Sequence, residues 1–164
     1  MGIHKTSHHV RARSRVWHVF RYAAIVLTLA PLAPATDSPA ELKARADAAT
    51  GGTQARLCLE YAHVQLAAAD YLFNQGEVEK GQADIREVVD YARKAANAAS
   101  ASGKHLKETE IDLRKLSKRM HDIGESLAFE DRDPVRKAVE EIDQIRSELL
   151  VRMWGPQAEP KGKF

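Results

Sequence analysis

Apolar side chains in the last third of the chain recur at alternating steps of three and four residues. One series runs from residue 104 to residue 127, and a second of the same period runs from residue 135 to residue 153. This spacing places the apolar side chains on one stripe of an α-helix, at the a and d positions of a heptad repeat. The pattern therefore predicts two long amphipathic helices. The stripes are Leu106, Thr109, Leu113, Leu116, Met120, Ile123 and Leu127, then Val135, Ala138, Ile142, Ile145, Leu149 and Met153.

Two earlier segments show the same helical spacing with smaller side chains. They are predicted to run from Thr53 to Asn74 and from Glu77 to Ser100, with Gly76 ending the first and Ser102-Gly103 stopping the second. Small residues on a stripe allow two helices to approach closely. The stripes are Ala55, Cys58/Leu59, Ala62, Leu66, Ala69 and Phe73, then Val78, Gly81, Ile85, Val88, Ala92, Ala95 and Ala99.

Capping signals mark the remaining helix ends. Ser38-Pro39-Ala40-Glu41 predicts a capping box that opens a short helix ending near Ala49. Gly51-Gly52 is predicted to break the chain there, with Thr53 capping the next helix. Asp133-Pro134 is predicted as the N-cap and first residue of the last helix, after a loop over 129–132, and Gly155-Pro156 as its end.

The order of these segments predicts an all-α fold. Four helices of 20 to 24 residues, each about 30 to 36 Å long, are joined by loops short enough to force antiparallel neighbours. We therefore expect an antiparallel four-helix bundle with up-down-up-down order, with the short extra N-terminal helix packed on one end. The bundle domain would span residues 36–154, and residues 155–164 would form a disordered tail.

The first 35 residues have the composition of a secretory signal peptide. Five basic residues and no acid precede the apolar stretch from Tyr22 to Leu32, and Ala33-Pro34-Ala35 has the small-x-small pattern of a peptidase site. The apolar stretch is about half of the ~20 residues that a spanning helix needs, which disfavours an uncleaved anchor. We expect cleavage near Ala35 and export to the periplasm or the exterior.

Charge and cysteine content narrow the function further. The part after residue 35 carries 20 basic and 23 acidic side chains, a net charge of −3, which gives no basic surface for nucleic acid. The single cysteine, Cys58, excludes an intrachain disulfide. It lies on the predicted stripe, so burial as a small apolar residue is one interpretation, and an intermolecular disulfide in an oxidising compartment is the other.

The segment YLFNQGEVEKG, residues 71–81, resembles the turn of a tetratricopeptide repeat. A helix ends in glycine, acidic residues open the next helix, and a small residue lies at the bend. The resemblance covers about residues 55–101, Gly81 stands where alanine is usual, and no copy follows at the 34-residue period of that family. It implies a scaffold that binds peptides or proteins along a concave helical face; a generic helical hairpin is the alternative.

Glu60 and His63 have the Glu-x-x-His spacing that places two metal ligands on one face of a helix in di-iron bundles. Such sites need a second copy of the motif and two further carboxylates, and the sequence near His105 and His121 contains no second copy. His63 also lies beside the apolar stripe rather than on it. A partly buried or surface histidine without a metal is therefore expected, and no cofactor is predicted.

Two surface features are candidate interaction sites. Basic residues of the third long helix, Lys107, Arg114, Lys115, Lys118 and Arg119, form either a docking face for an acidic partner or anionic lipid, or a solvated face balanced by acids such as Glu140, Glu141 and Asp143. Trp154 near the end of the last helix either anchors a partner or folds back over the bundle.

The sequence contains no phosphate-binding glycine loop, nucleophile elbow or haem-attachment motif. We therefore predict an exported interaction or structural module that is not an enzyme, whose partner is another protein. The alternatives are a bundle that carries a metal or ligand through Glu60 and His63, and a protein bound to a membrane surface through its basic helix.

Overall fold

The computed structural model describes residues 38–155, and within this range the chain folds into helices without any strand. The predicted all-α class is therefore confirmed. The leader predicted over residues 1–35 lies outside the described residues, as do residues 156–164 of the predicted tail. The helices are α1 (Pro39–Ala48), α2 (Gly51–Asn74), α3 (Val78–Ser102), α4 (Leu106–Ser126) and α5 (Arg132–Trp154), with a short 3-10 helix at Phe129–Asp131.

The start of α1 confirms the predicted capping box. The Ser38 backbone N–H donates to the Glu41 carboxylate at 2.9 Å, and the Glu41 backbone N–H donates to the Ser38 hydroxyl at 3.3 Å. Pro39 occupies the first position of the helix, where no backbone N–H is required. These contacts satisfy donors that a helix N-terminus otherwise leaves unpaired.

Two predicted helix starts are wrong. Gly51-Gly52 does not separate helices, because α2 already begins at Gly51 and Thr50, rather than Thr53, is its N-cap. A Cβ on Gly52 would lie 2.7 Å from the His105 ring, so this glycine leaves room for the imidazole. The last helix begins at Arg132, which puts Pro134 at the third helical position. Proline fits there because the first four N–H groups of a helix have no intrahelical acceptor.

The predicted stripes form the core. Every predicted stripe residue of α2 is buried, and those of α3, α4 and α5 are buried except at the ends. The exceptions, which are half-buried, are Val78, Leu106, Leu127 and Met153. The spacing therefore placed these residues in the core correctly, but the core also contains residues off the stripes, such as Leu57, Tyr61, Val89 and Tyr91.

The contacts between α2 and α3 follow a constant order. Gly51 lies against Ser102, the Tyr61 ring contacts the Tyr91 ring, and Phe73 lies against Gly81. The residue number falls along α3 as it rises along α2. The turn between them includes Gly76, whose φ of +76° is the left-handed conformation that favours glycine.

The contacts between α4 and α5 follow the same order. Gly124 lies against Val135, and the Arg146 guanidinium donates to the Glu110 carboxylate at 2.7 Å. Helix α3 also packs against α5, and α2 packs more lightly against α4.

Helix α1 does not cap one end of the molecule as predicted. It packs mainly against α2, and its polar side chains reach the middle of α3, with Lys43 paired to Glu87 and Asp47 bonded to Tyr91. Leu42 and Ala46, one helical turn apart, are buried. An apolar pair at this spacing needs a neighbouring helix surface to cover it, and the sides of α2 and α3 provide that surface.

Candidate functional site

Glu60 and His63 lie on α2 at the rim of a cleft between α2 and α4. The cleft has a volume of about 260 Å³. We call it the imidazole cleft, because His63 from α2 and His105 from the start of α4 both line it. Its other lining residues are Arg56, Leu59, Glu60, Glu108, Thr109 and Asp112.

The imidazole cleft does not contain a metal-binding arrangement. Among residues 38–155, no three His, Cys, Asp or Glu side chains are grouped so that they could hold a metal ion. Glu60 instead pairs with Arg56 at 3.5 Å on the same helix. The two residues of the Glu-x-x-His motif therefore share a cleft but lack the further ligands that a di-iron bundle requires.

His63 is exposed at the rim of this cleft. Exclusion of water from the ring lowers the pKa of the His63 imidazole; Asp112 opposes this shift and Lys115 adds to it. A pKa below the ordinary value of about 6.5 favours the neutral form of the ring. A neutral imidazole has one donor and one acceptor nitrogen.

Thr109 lies at the floor of the imidazole cleft and has no exposed surface. Its backbone N–H donates to the His105 carbonyl at 2.9 Å, but its side-chain hydroxyl has no hydrogen-bond partner. His105 has a φ of +59°, an uncommon conformation for a residue with a side chain. An unpaired buried hydroxyl costs about 1–3 kcal/mol of stability, so Thr109 is a costly choice at a position that an apolar side chain could fill.

Cys58 is fully buried and unpaired. Burial raises the pKa of the thiol to about 11; Lys94 lowers it and Asp47 raises it in smaller amounts. Disulfide formation needs an accessible thiolate. The burial argues for the interpretation of Cys58 as a small core residue and against the intermolecular disulfide.

Three of the five basic candidates on α4 are paired with acids. Arg114 lies 4.0 Å from Glu110, Lys115 lies 2.9 Å from Asp112, and Arg119 reaches Asp70 of α2 at 2.5 Å. The acids expected from α5 are not the partners, since Glu140 pairs with Arg136 and Glu141 with Arg93.

Lys107 and Lys118 are exposed and make no ion pair within the described residues. The stretch 104–126 carries six Lys/Arg and five Asp/Glu residues, a net charge of +1. Its basic surface is therefore confined to a narrow stripe, which favours a solvated face over a broad basic docking surface.

Trp154 lies in the last turn of α5 with 72% of its surface exposed, and it does not fold back over the helices. Val151, one turn earlier on the same side, is 63% exposed. Residues three apart are neighbours on a helix surface. The two side chains thus form an apolar patch at the end of α5, which we call the α5 patch.

One group of interacting side chains was not predicted from the sequence. The Tyr61 and Tyr91 rings lie with their centroids 4.4 Å apart at an angle of 60°, the edge-to-face arrangement that aromatic pairs favour. The Lys43 ammonium lies 5.7 and 5.8 Å from the two centroids. We call this group the tyrosine cluster; it consists of Lys43, Asp47, Tyr61, Gln65, Glu87, Tyr91 and Lys94.

Hydrogen bonds join the tyrosine cluster across three helices. The Tyr91 hydroxyl donates to the Asp47 carboxylate at 2.8 Å, and the Lys94 ammonium donates to the same carboxylate at 2.8 Å. Lys43 and Gln65 both donate to Glu87. The cluster therefore attaches α1 to the α2–α3 hairpin.

No family model, curated protein or solved structure matches this chain. The resemblance of residues 55–101 to a tetratricopeptide hairpin therefore stays a prediction. None of the helices within residues 38–155 is long and apolar enough to cross a membrane.

Proposed function

We propose that this chain is an exported helical module that binds another protein through the α5 patch and has no catalytic activity of its own. The observation that carries this proposal is the exposure of Trp154 beside Val151, at 72% and 63%. Tryptophan is among the residues most enriched in the energetic centres of protein interfaces. Exposed apolar pairs in water favour burial by a partner surface.

The proposal includes the arrangement of the helices. We propose that α2, α3, α4 and α5 alternate in direction, as in an up-down-up-down bundle. The support comes from the order of contacts in each hairpin, where Gly51 meets Ser102 and Phe73 meets Gly81, and Gly124 meets Val135. A bundle of this kind presents rigid helix faces and ends to a partner.

We also propose that the α2–α3 hairpin is similar to the helical hairpin of a tetratricopeptide repeat. Gly81 departs from the alanine usual in that family, and the reason lies in this chain's own packing. A Cβ on Gly81 would lie 2.7 to 2.9 Å from three carbons of the Phe73 ring. The small residue at the bend is therefore matched to a large aromatic neighbour.

Export is supported by the order of charge, apolar stretch and small residues in the first 35 residues. Export is also compatible with this fold, because the single cysteine, Cys58, is buried in α2 and would not form a disulfide in an oxidising compartment. Cleavage after Ala35 would give a chain that starts at Thr36, two residues before the capping box of α1.

One experiment tests both parts of the proposal. The full chain with a C-terminal affinity tag is expressed in its native host, purified from envelope and secreted fractions, and analysed by N-terminal sequencing and mass spectrometry. We expect a chain starting near Thr36 and one partner protein in stoichiometric amount. Recovery only from the cytoplasmic fraction with Met1 intact would contradict export.

The partner is assigned to the α5 patch by matched variants. Trp154→Ala should lose the partner, because it removes the largest exposed apolar side chain of the patch. Phe129→Ala removes a side chain that is 87% exposed at the other end of α5 and should retain it. If the partner is lost with Lys107→Glu/Lys118→Glu but kept with Trp154→Ala, the interface lies on α4. That result would refute the assignment of the interface to the α5 patch.

A further inference from the structure

The imidazole cleft combines an open volume with a buried polar group that has no partner. Thr109 lies at its floor with no exposed surface, and its hydroxyl makes no hydrogen bond. A hydroxyl at this position in a helix can bond the carbonyl four residues earlier, but the His105 carbonyl accepts only the Thr109 backbone N–H. Buried polar groups are paired in nearly all proteins, so an unpaired one beside a cleft points to a ligand that supplies the partner.

The charges at the rim of the cleft determine whether it favours a cationic or an anionic ligand. Three carboxylates, those of Glu60, Glu108 and Asp112, line the cleft. Arg56 pairs with Glu60 at 3.5 Å and Lys115 pairs with Asp112 at 2.9 Å. Glu108 makes no ion pair in the part of the chain that the structure describes, so the cleft retains negative charge and disfavours an anion.

The hydrogen-bonding groups that line the cleft limit the chemical class of the ligand further. Carboxylates and a hydroxyl oxygen are acceptors, and a neutral imidazole adds one acceptor nitrogen. An ammonium group has three N–H donors and no acceptor, which matches this set. A metal ion does not match it, because residues 38–155 contain no group of three suitable ligand side chains.

The size of the cleft limits the ligand to a small molecule. Its volume of about 260 Å³ is at the lower end of ligand pockets, which span about 300–1,000 Å³. Leu59, which is buried, supplies an apolar wall. A short alkyl chain that ends in an ammonium group can use both the wall and the acceptors.

We propose that the imidazole cleft binds a small primary ammonium compound such as an alkyl diamine, with the Thr109 hydroxyl as a buried acceptor. This site lies between α2 and α4 and does not involve the α5 patch. Ligand binding and partner binding are therefore separate properties of the chain, and the proposed function stands or falls independently.

Isothermal titration calorimetry of the full chain with 1,4-diaminobutane tests the proposal. We expect saturable binding by the wild type, and binding at least ~10-fold weaker in Thr109→Val, which keeps the shape and removes the acceptor. A hydrogen bond to a charged group contributes enough for a change of that size. Ser117→Ala, a second nearly buried hydroxyl of α4 that does not line the cleft, should bind like the wild type.

Stability measurements separate loss of the site from loss of the fold. Thr109→Val should unfold at the same temperature as the wild type or higher, because it removes an unpaired buried hydroxyl. The fully methylated, bis-quaternary analogue with three methyl groups on each nitrogen has no N–H donors, so it should bind at least ~10-fold more weakly than the parent compound.

Three results would overturn the proposal. They are no saturable binding of the diamine up to millimolar concentration, equal binding by the wild type and Thr109→Val, and equal binding of the fully methylated compound. Tight binding of zinc with no diamine binding would also refute it and would instead identify a metal site.

Discussion

The α2–α3 hairpin and the α4–α5 hairpin bury their stripes with side chains of different size. On α2 and α3 the buried residues include eight alanines and two glycines, together with larger side chains such as Leu66, Phe73 and Ile85 and the pair Tyr61 and Tyr91. Between α4 and α5 they are mainly leucine, isoleucine, methionine and valine. The first hairpin depends on close fit and on polar contacts at its edge, whereas the second depends on buried aliphatic volume.

Helix α1 is a second difference between the two hairpins. Small residues bury less apolar area per position than leucine or isoleucine, so the alanine and glycine positions of α2 and α3 contribute less than the leucine and isoleucine positions of α4 and α5. The α2–α3 hairpin also covers Leu42 and Ala46 of α1, and the tyrosine cluster attaches α1 to it. The α4–α5 hairpin has no such added helix in the described part of the chain.

The largest change in the free energy of unfolding is expected for a core substitution in the α4–α5 hairpin. Leu116→Ala should lower the free energy of unfolding by about 2–5 kcal/mol, because it removes a fully buried side chain and leaves a cavity. Urea unfolding followed by circular dichroism measures the change. Lys118→Ala, an exposed position on the same helix, should change stability by less than about 0.5 kcal/mol. A similar small change for Leu116→Ala would show that α4–α5 does not depend on aliphatic volume.

The next largest effect is expected where the α2–α3 hairpin is tightest. Gly81→Ala should destabilise the protein by about 1–2 kcal/mol, because overpacking against the Phe73 ring outweighs the higher helix propensity of alanine. Gly124→Ala in the other hairpin is the matched control, since its Cβ would meet Val135 at 3.3 Å and should cost less.

A second variant makes the mechanism at Gly81 testable. In a Phe73→Leu background the aromatic ring is gone, so Gly81→Ala should become neutral or stabilising. Equal destabilisation in both backgrounds would show that the Phe73 contact is not the cause.

The stripes could be predicted from the sequence because helical burial repeats every three to four residues along one chain segment. Cys58, Thr109 and Ile142 were each placed on a stripe by spacing alone, and each is buried. The helix starts were less predictable. Thr53 and Asp133 have good capping chemistry, but α2 begins at Gly51 and α5 at Arg132, and capping chemistry alone did not indicate these starts.

The tyrosine cluster left only a partial signal in the sequence. Lys43 and Asp47, Tyr61 and Gln65, and Glu87 and Tyr91 are each four residues apart, which places each pair on one helix face. A single sequence does not show which faces meet across three helices. The imidazole cleft could not be predicted for the same reason, because His63 and His105 come from helices that are adjacent in space but separated in sequence.

The smallest effect is expected at the edge of the α2–α3 hairpin, and it depends on pH. The hydrogen bond from Lys94 lowers the pKa of the Asp47 carboxyl, burial opposes this, and Tyr91 lowers it further. A carboxyl whose pKa is lower in the folded chain adds stability above its unfolded pKa of about 3.9, and this stability is lost as the pH falls through the folded value. Asp47→Asn should therefore destabilise the protein at pH 7 by less than about 1 kcal/mol, since the pair is 44 to 47% exposed and screened by water.

The same difference should shrink as the pH falls below about 3.9 toward the lowered pKa of Asp47, because the carboxylate of the wild type then becomes protonated. Unfolding midpoints in urea at pH 7 and pH 2.5 measure this change, and Asp143→Asn on the exposed face of α5 is the control that should show no such trend. A difference that stays constant with pH would mean that the charge of Asp47 does not stabilise the attachment of α1. That attachment would then depend on the Lys43–Glu87 pair and on the buried side chains of Leu42 and Ala46.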